Sequence, residues 1–261
     1  MTGFDFNQSE QHILSIRLSA DGFSFSIHHP HTGEICLYVP YPVNASYSMT
    51  ANLKEMIASQ EALKYTYKKV NILTDTIRFT PVPFDLFEDE QQENLFYQNF
   101  SAKDNEIVLC NILGKSNSVI LFGMDKHARS LLDEHFPSAR IYASVSPLTE
   151  HFTQESRQGN CRKLYAHLKK DTIEIFAFDR GKLLLINTFS CKQVSDQVYY
   201  LLYIWQQLGF HQENDQLFLL GNNEHQGLLN SELRKFIRQV DTIPVSSSEI
   251  PFDIQTLLTC E

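Results

Sequence analysis

Lys163-Leu164-Tyr165-Ala166-His167-Leu168-Lys169-Lys170-Asp171-Thr172-Ile173-Glu174-Ile175-Phe176-Ala177 is the stretch that decides the fold. Leu164, Ala166 and Leu168 stand at every second position, Lys169-Lys170-Asp171 interrupts, and Ile173, Ile175 and Ala177 resume the alternation, which is the pattern of two strands with one buried face. Asp179-Arg180-Gly181 then turns the chain into Leu183-Leu184-Leu185-Ile186. A helix-period run covers 194–208, and Leu217-Phe218-Leu219-Leu220 ends the unit at Gly221. The order predicted for 163–221 is βββαβ.

A fainter copy opens the chain. Leu14, Ile16 and Leu18 alternate, Ser19-Ala20-Asp21-Gly22 turns, and Phe23, Phe25 and Ile27 alternate again, which predicts a hairpin. A third strand is expected over 35–39, an amphipathic helix through Met49, Leu53, Met56 and Ile57, and a fourth strand at Val70-Asn71-Ile72-Leu73. At an offset of 150, Leu14 meets Leu164, Ile16 meets Ala166, Leu18 meets Leu168 and Asp21 meets Asp171. Alternation alone aligns any two hairpins, so the shared order of elements carries the inference of an internal repeat.

Between the copies, Phe79-Thr80-Pro81-Val82-Pro83 precedes an acidic helix start at Glu88-Asp89-Glu90. Strands are expected at Ile107-Val108-Leu109 and Val119-Ile120-Leu121-Phe122, then a helix capped by Asp125, then one more strand over 140–143. This reads as an inserted α+β subdomain at about 79–143. A helix near 147–157 and the polar Gln158-Gly159-Asn160 lead into the second half, and the polar segment is the expected hinge. The division expected is a first lobe of 1–150 and a second of 151–261. After Gly221 come Asn222 and Asn223, a helix carrying Leu228, Leu229 and Leu233, and a tail in which Phe252, Leu257 and Leu258 pack back.

The chain has 261 residues and a formal charge of −9, with a pI near 5.6. Sequence-independent nucleic-acid binding needs clustered cations to displace counterions, so that class is disfavoured. Residues 1–7 lack a basic and apolar leader, and no run approaches the ~18 apolar residues of a membrane span, so a cytoplasmic location is expected. Cys36, Cys110, Cys161, Cys191 and Cys260 show no CxxC spacing, and buried free thiols are expected rather than a zinc site or a disulfide framework.

Two βββαβ units with a subdomain inserted in the first resemble the actin-like ATPase superfamily, whose members include actin and sugar kinases. The insertion point resembles that of the division protein FtsA and the pilus protein PilM. Thr80-Pro81-Val82-Pro83 with Leu86-Phe87, His135-Phe136-Pro137, Ser146-Pro147-Leu148 and Lys163-Leu164-Tyr165 are similar to the bacterial family numbered 3822 among domains of unknown function. The resemblance implies an α/β fold: a duplicated actin-like ATPase (RNase H-like βββαβα) architecture.

That resemblance implies a test. Active members hold Mg-ATP between the halves, with a DxG turn from each first hairpin and glycines after the second half's fourth strand. Carried onto this chain, the first turn has Arg17 and Ser19 and the second has His167 and Lys169, so both carboxylates are replaced. Asp21-Gly22 and Asp171 sit some residues later, at the loop tips, where turn chemistry explains them. The adenosine loop offers Gly221-Asn222, one glycine where the family has more. Lys169 and Lys170 suit phosphate without metal, as an anion site. The cleft candidates are therefore Arg17, Asp21, Gly22, His167, Lys169, Lys170, Asp171, Gly221 and Asn222.

Other constellations are weaker. Gly114-Lys115-Ser116 lacks the earlier glycine of a P-loop, since Leu109 stands there. His28, His29 and His31 are crowded, but neighbours on a strand face opposite ways. The apolar run Tyr199-Tyr200-Leu201-Leu202-Tyr203-Ile204-Trp205 reads as core packing or a partner surface. The expectation is a pseudo-ATPase: a scaffold or adaptor with no catalytic residues, no bound metal, no cofactor and an unspecified protein partner. A nucleotide-binding switch with a remodelled ATP site is the alternative. Hydrolase or transferase chemistry on an RNase H-like core is disfavoured because no clustered carboxylates are expected at the strand ends.

Overall fold

The computed structural model describes residues 4–221, 225–244 and 250–257. The chain begins with β1 (Ile13–Ser19), β2 (Gly22–His28), β3 (Ile35–Tyr41), α1 (Met49–Ser59) and β4 (Lys69–Thr74). Next come β5 (Phe79–Pro83), α2 (Gln92–Tyr97), β6 (Glu106–Leu113), β7 (Ser118–Asp125), α3 (Lys126–His135), β8 (Arg140–Ala143) and α4 (Val145–Ser156). The rest is β9 (Arg162–Leu168), β10 (Thr172–Asp179), β11 (Lys182–Ser190), α5 (Val194–Gln207), β12 (Gln216–Leu220), α6 (Gln226–Leu233), β13 (Gln239–Thr242) and α7 (Phe252–Leu257).

Two sheets have the same strand order, β3-β2-β1-β4-β8 and β11-β10-β9-β12-β13. In each, the first strand is antiparallel to the second and parallel to the fourth. Even-numbered residues of β1 (Leu14, Ile16, Leu18) pack with α1 and α3 in one core, while Leu164, Ala166 and Leu168 of β9 pack with α5 and α6 in another. Local chemistry starts the helices where the alternation stops. Ser48 accepts from Ala51 N at the start of α1, Asp125 accepts from Ala128 N at the start of α3, and Gln193 with Asp196 makes a capping box on α5.

Four expectations change. The strand over 140–143 is β8, and it pairs in parallel with β4 in the first sheet, while α3 buries Ala128 and Leu132 in the same core as α1. The elements standing apart from that sheet are therefore β5, α2, β6 and β7, with order β5-β7-β6, and not the whole of 79–143. Phe79-Thr80-Pro81-Val82-Pro83 is a strand despite two prolines, because it lies at the sheet edge where missing N–H donors are tolerated. β13 was not expected: its four residues bury only Val240. Of the cysteines, Cys191 alone among the described residues is buried and Cys36 is exposed; Cys260, Leu258, Asn222 and Asn223 lie outside the described residues.

A third core joins the two sheets. Phe152 of α4 stacks on Tyr165 of β9 (4.3 Å between centroids) and meets Phe176 of β10 edge-on at 5.2 Å. Phe79, Ile120 and Phe122 from the small sheet enter the same cluster as Phe178, Ile186 and Leu220. α4 carries Thr149 and Thr153 inward without stranding a hydroxyl, since each donates to the carbonyl four residues earlier. The expected hinge at 158–160 runs over the surface, with Gly159 at φ +83°, above this continuous apolar contact.

Candidate functional site in the cleft between the sheets

Strand parity positions the site. With Leu14, Ile16 and Leu18 turned into the core, Ser15, Arg17 and Ser19 face the other side of the first sheet. Register sets Arg17 between Ser24 and Leu73, and the equivalent row of the second sheet is His167 between Glu174 and Leu220. Lys169 follows β9 directly, and Asp75 follows β4.

These groups meet across the cleft. Lys169 Nζ donates to Asp75 Oδ1 at 2.7 Å and to Glu174 Oε1 at 2.5 Å, so one ammonium ties the two sheets together. His167 Nδ1 lies 2.8 Å from the other Glu174 oxygen. Arg17 Nε donates to Asp253 Oδ2 of α7 at 2.7 Å, and its Nη2 is 3.7 Å from Asp75 Oδ2. Ser19 and Ser144 hydroxyls complete the Asp75 carboxylate at 3.0 and 3.2 Å. Glu174 and Asp253 side chains are each 1% exposed, and Lys169 only 10%.

Burial opposes the charges of Asp75, Lys169 and Arg17, and for these three the pairing outweighs it. Burial alone would raise the Asp75 carboxyl, but Lys169 and then Arg17 outweigh it and hold it down at about 2. Burial would lower Lys169, yet Glu174 and Asp75 push it well above the ordinary lysine range, and Asp253 and Asp75 do the same for Arg17. For Asp75 the folded pKa lies below the unfolded value of 3.8, so its stabilisation is complete above that value and disappears as pH falls towards 2. Unfolding free energy should therefore fall by roughly 2 kcal/mol from this group between about pH 5 and pH 2. Asp75→Asn should flatten that limb in a pH series of denaturant melts; an unchanged limb would exclude the assignment.

The expected site residues separate into two sets. Arg17, His167 and Lys169 converge in the network. Asp21, Lys170 and Asp171 stand exposed at hairpin turns, and Gly22 (φ +144°) opens β2 beside them. Gly221, at φ +105°, brings its backbone against β9: a Cβ there would lie 2.2 Å from the Leu168 carbonyl oxygen. Asn222 lies outside the described residues. The carboxylates correct the sequence reading, which expected none clustered at the strand ends: Asp75, Glu174 and Asp253 are all present, each engaged by a cation of the chain itself. A signal for them existed in the polar Ser15, Arg17 and Ser19 of a central strand, which a sheet covered on both faces normally fills with apolar residues.

A divalent cation and an ammonium cannot share one pair of carboxylates, so the residues present do not fit magnesium between Asp75 and Glu174. No group of three or more His, Cys, Asp or Glu among the described residues is arranged to hold a metal. Beside Asp75, a cavity of about 350 Å³ is lined by Thr74, Arg78, Glu106, Met124 and Asp125. Its floor is also self-paired, Arg78 donating Nε to Glu106 Oε1 and Nη2 to Glu106 Oε2, each at 2.7 Å.

The sequence over residues 2–240 matches the family described as Protein of unknown function (DUF3822). The chain belongs to that family. A solved structure similar to this DUF3822 chain is a Bacteroides thetaiotaomicron protein with actin-like ATPase fold and unknown function, 48% identical, covering 99% of this chain and 100% of that one at a TM-score of 0.93. The type IV pilus biogenesis complex of PilM and PilN matches at 10% identity, 88% of each chain and a TM-score of 0.57. The ethanolamine utilization protein EutJ from Carboxydothermus hydrogenoformans matches at 7% identity, 94% and 89% coverage and a TM-score of 0.50. Comparison with curated proteins returned no match. The DUF3822 chain thus has the actin-like ATPase fold, and among its described residues no helix is long and apolar enough to cross a membrane.

Proposed function

We propose that this DUF3822 protein is a non-catalytic scaffold or adaptor of actin-like fold that works through protein–protein contacts. One observation carries the reading: the cleft in which a nucleotide-using relative needs open carboxylates is filled by the chain's own Arg17, Lys169 and His167, paired with Asp75, Glu174 and Asp253. Lys169 holds Asp75 and Glu174 between the two sheets, and a divalent cation would have to displace that covalently attached ammonium to reach them. The halves, divided near residue 150 with the insertion at 79–125, are held closed by this network and by the aromatic core around Phe152. That PilM was solved in a complex with PilN is in keeping with such a role.

The cavity beside Asp75 supports a second reading, a nucleotide-responsive switch entered from the inserted subdomain. Thermal melting separates the two. A ligand at a hundred times its Kd adds about 2.7 kcal/mol, several degrees for a chain of this size. The scaffold reading expects a shift below 1 °C at millimolar ATP with magnesium. A reproducible rise of several degrees, dependent on both components, would replace it with the switch.

A further inference from the structure

The two sheets differ on their inner faces in a way that the strand order does not require. In the second sheet the row across β10, β9 and β12 is Phe176, Tyr165 and Phe218, all aromatic, with Tyr165 stacked 5.1 Å from Phe218. The equivalent row of the first sheet, across β2, β1 and β4, is Ser26, Ser15 and Asn71. The adjoining row adds Ser24 and Arg17. Ser15, Ser24 and Ser26 are buried, and none of their hydroxyls has a hydrogen-bond partner among the described residues. A buried hydroxyl without a partner is destabilising, whereas in water or against a polar ligand it is satisfied.

α7 docks on this same face. Asp253 pairs with Arg17, Ile254 and Leu257 cluster with Leu73, Tyr38 and Tyr142, and Phe252 stacks on Phe152 at 6.2 Å. The described residues of α7 are held on this face by those docking contacts. Its anchor is a buried ion pair, whose desolvation cost offsets much of its attraction and is recovered when both groups return to water. A polar, serine-lined face with a helix anchored by an ion pair to its arginine has the composition of a removable cover. A permanent core would carry the aromatic row seen in the second sheet.

We infer that the serine-lined face of the first sheet is a docking site for an amphipathic partner helix of the pattern apolar-Asp-apolar-x-x-apolar, and that α7 is the chain's own occupant of it. Arg17 selects the carboxylate, and the Leu73, Tyr38 and Tyr142 surface takes the flanking apolar side chains. This rests on the scaffold reading and names the partner's chemistry. Binding then requires α7 to leave, so the partner competes with a ligand present at high effective concentration.

The test uses the full chain and a fluorescein-labelled peptide of residues 250–257, IPFDIQTL. Hydrogen exchange on the unaltered protein should show α7 amides exchanging at least 100-fold faster than those of β1, by local opening. Asp253→Asn, which weakens the internal contact, should take up the peptide at least 10-fold more tightly than the unaltered chain. The same peptide with Asn in place of its Asp should bind at least 10-fold less tightly to either. α7 amides as protected as those of β1, or equal peptide binding by both chains, would overturn the inference. A concentration-dependent dimer of the Asp253→Asn chain would assign the face to a second copy instead of a partner helix. None of these measurements involves nucleotide, so their failure leaves the scaffold reading standing, and a nucleotide-dependent melt removes that reading without touching them.

Discussion

Lys169→Met is expected to lower the unfolding free energy by roughly 3–5 kcal/mol, because removing one member of a buried charge cluster leaves the others uncompensated. For a chain of this size that is about 6–20 °C in Tm. Methionine keeps much of the side-chain volume, so the loss reports on charge: Asp75 and Glu174, both held by the one ammonium, are left without it. Adding Glu174→Gln should recover part of the stability, since it withdraws one of the two stranded carboxylates. That non-additivity separates a charge effect from a packing defect. A single variant melting within a degree or two of the parent would mean that water screens the cluster, and that the halves are not tied together by it.

The second large effect is at Phe152, which is fully buried on α4 and touches rings from β9, β10 and α7. Phe152→Ala should destabilise by about 3–5 kcal/mol, the range for deleting a buried phenylalanine where the surroundings cannot close the gap. Closure is hindered here because Tyr165 and Phe176 are themselves anchored in paired strands. Denaturant melts measure the loss. A change under about 1 kcal/mol would show that the two sheets are held by something other than this aromatic contact.

Much of the fold was legible because alternation is a local property. Leu14-Ile16-Leu18 and Leu164-Ala166-Leu168 announce their strands and their buried faces without reference to anything distant, and the repeated order follows. Pairing is not local. β8 has four residues and only Ala143 fully buried, so nothing in its own sequence says whether it joins β4 or the inserted strands. The site was half visible for the same reason. Arg17, His167 and Lys169 could be found by aligning the two hairpins, but Asp75 lies 94 residues from Lys169 and Asp253 lies 236 residues from Arg17. No spacing rule spans such separations. The expectation of no clustered carboxylates at the strand ends failed at this point, because it considered the positions where acids would bind magnesium and not those where they neutralise a lysine.

Interlocking charges also constrain how such a cleft can change over generations. Exchange of Arg17 alone strands Asp253 in a nearly dry space, and exchange of Lys169 alone leaves Glu174 with His167 only, whereas exchange of Asp75 or Glu174 still leaves Lys169 one carboxylate. Uncovering Asp75, Glu174 and Asp253 together would take exchanges on both sheets, at Lys169 and at Arg17. The ammonium is therefore kept in place by the folding cost of its loss, whatever else the cleft does.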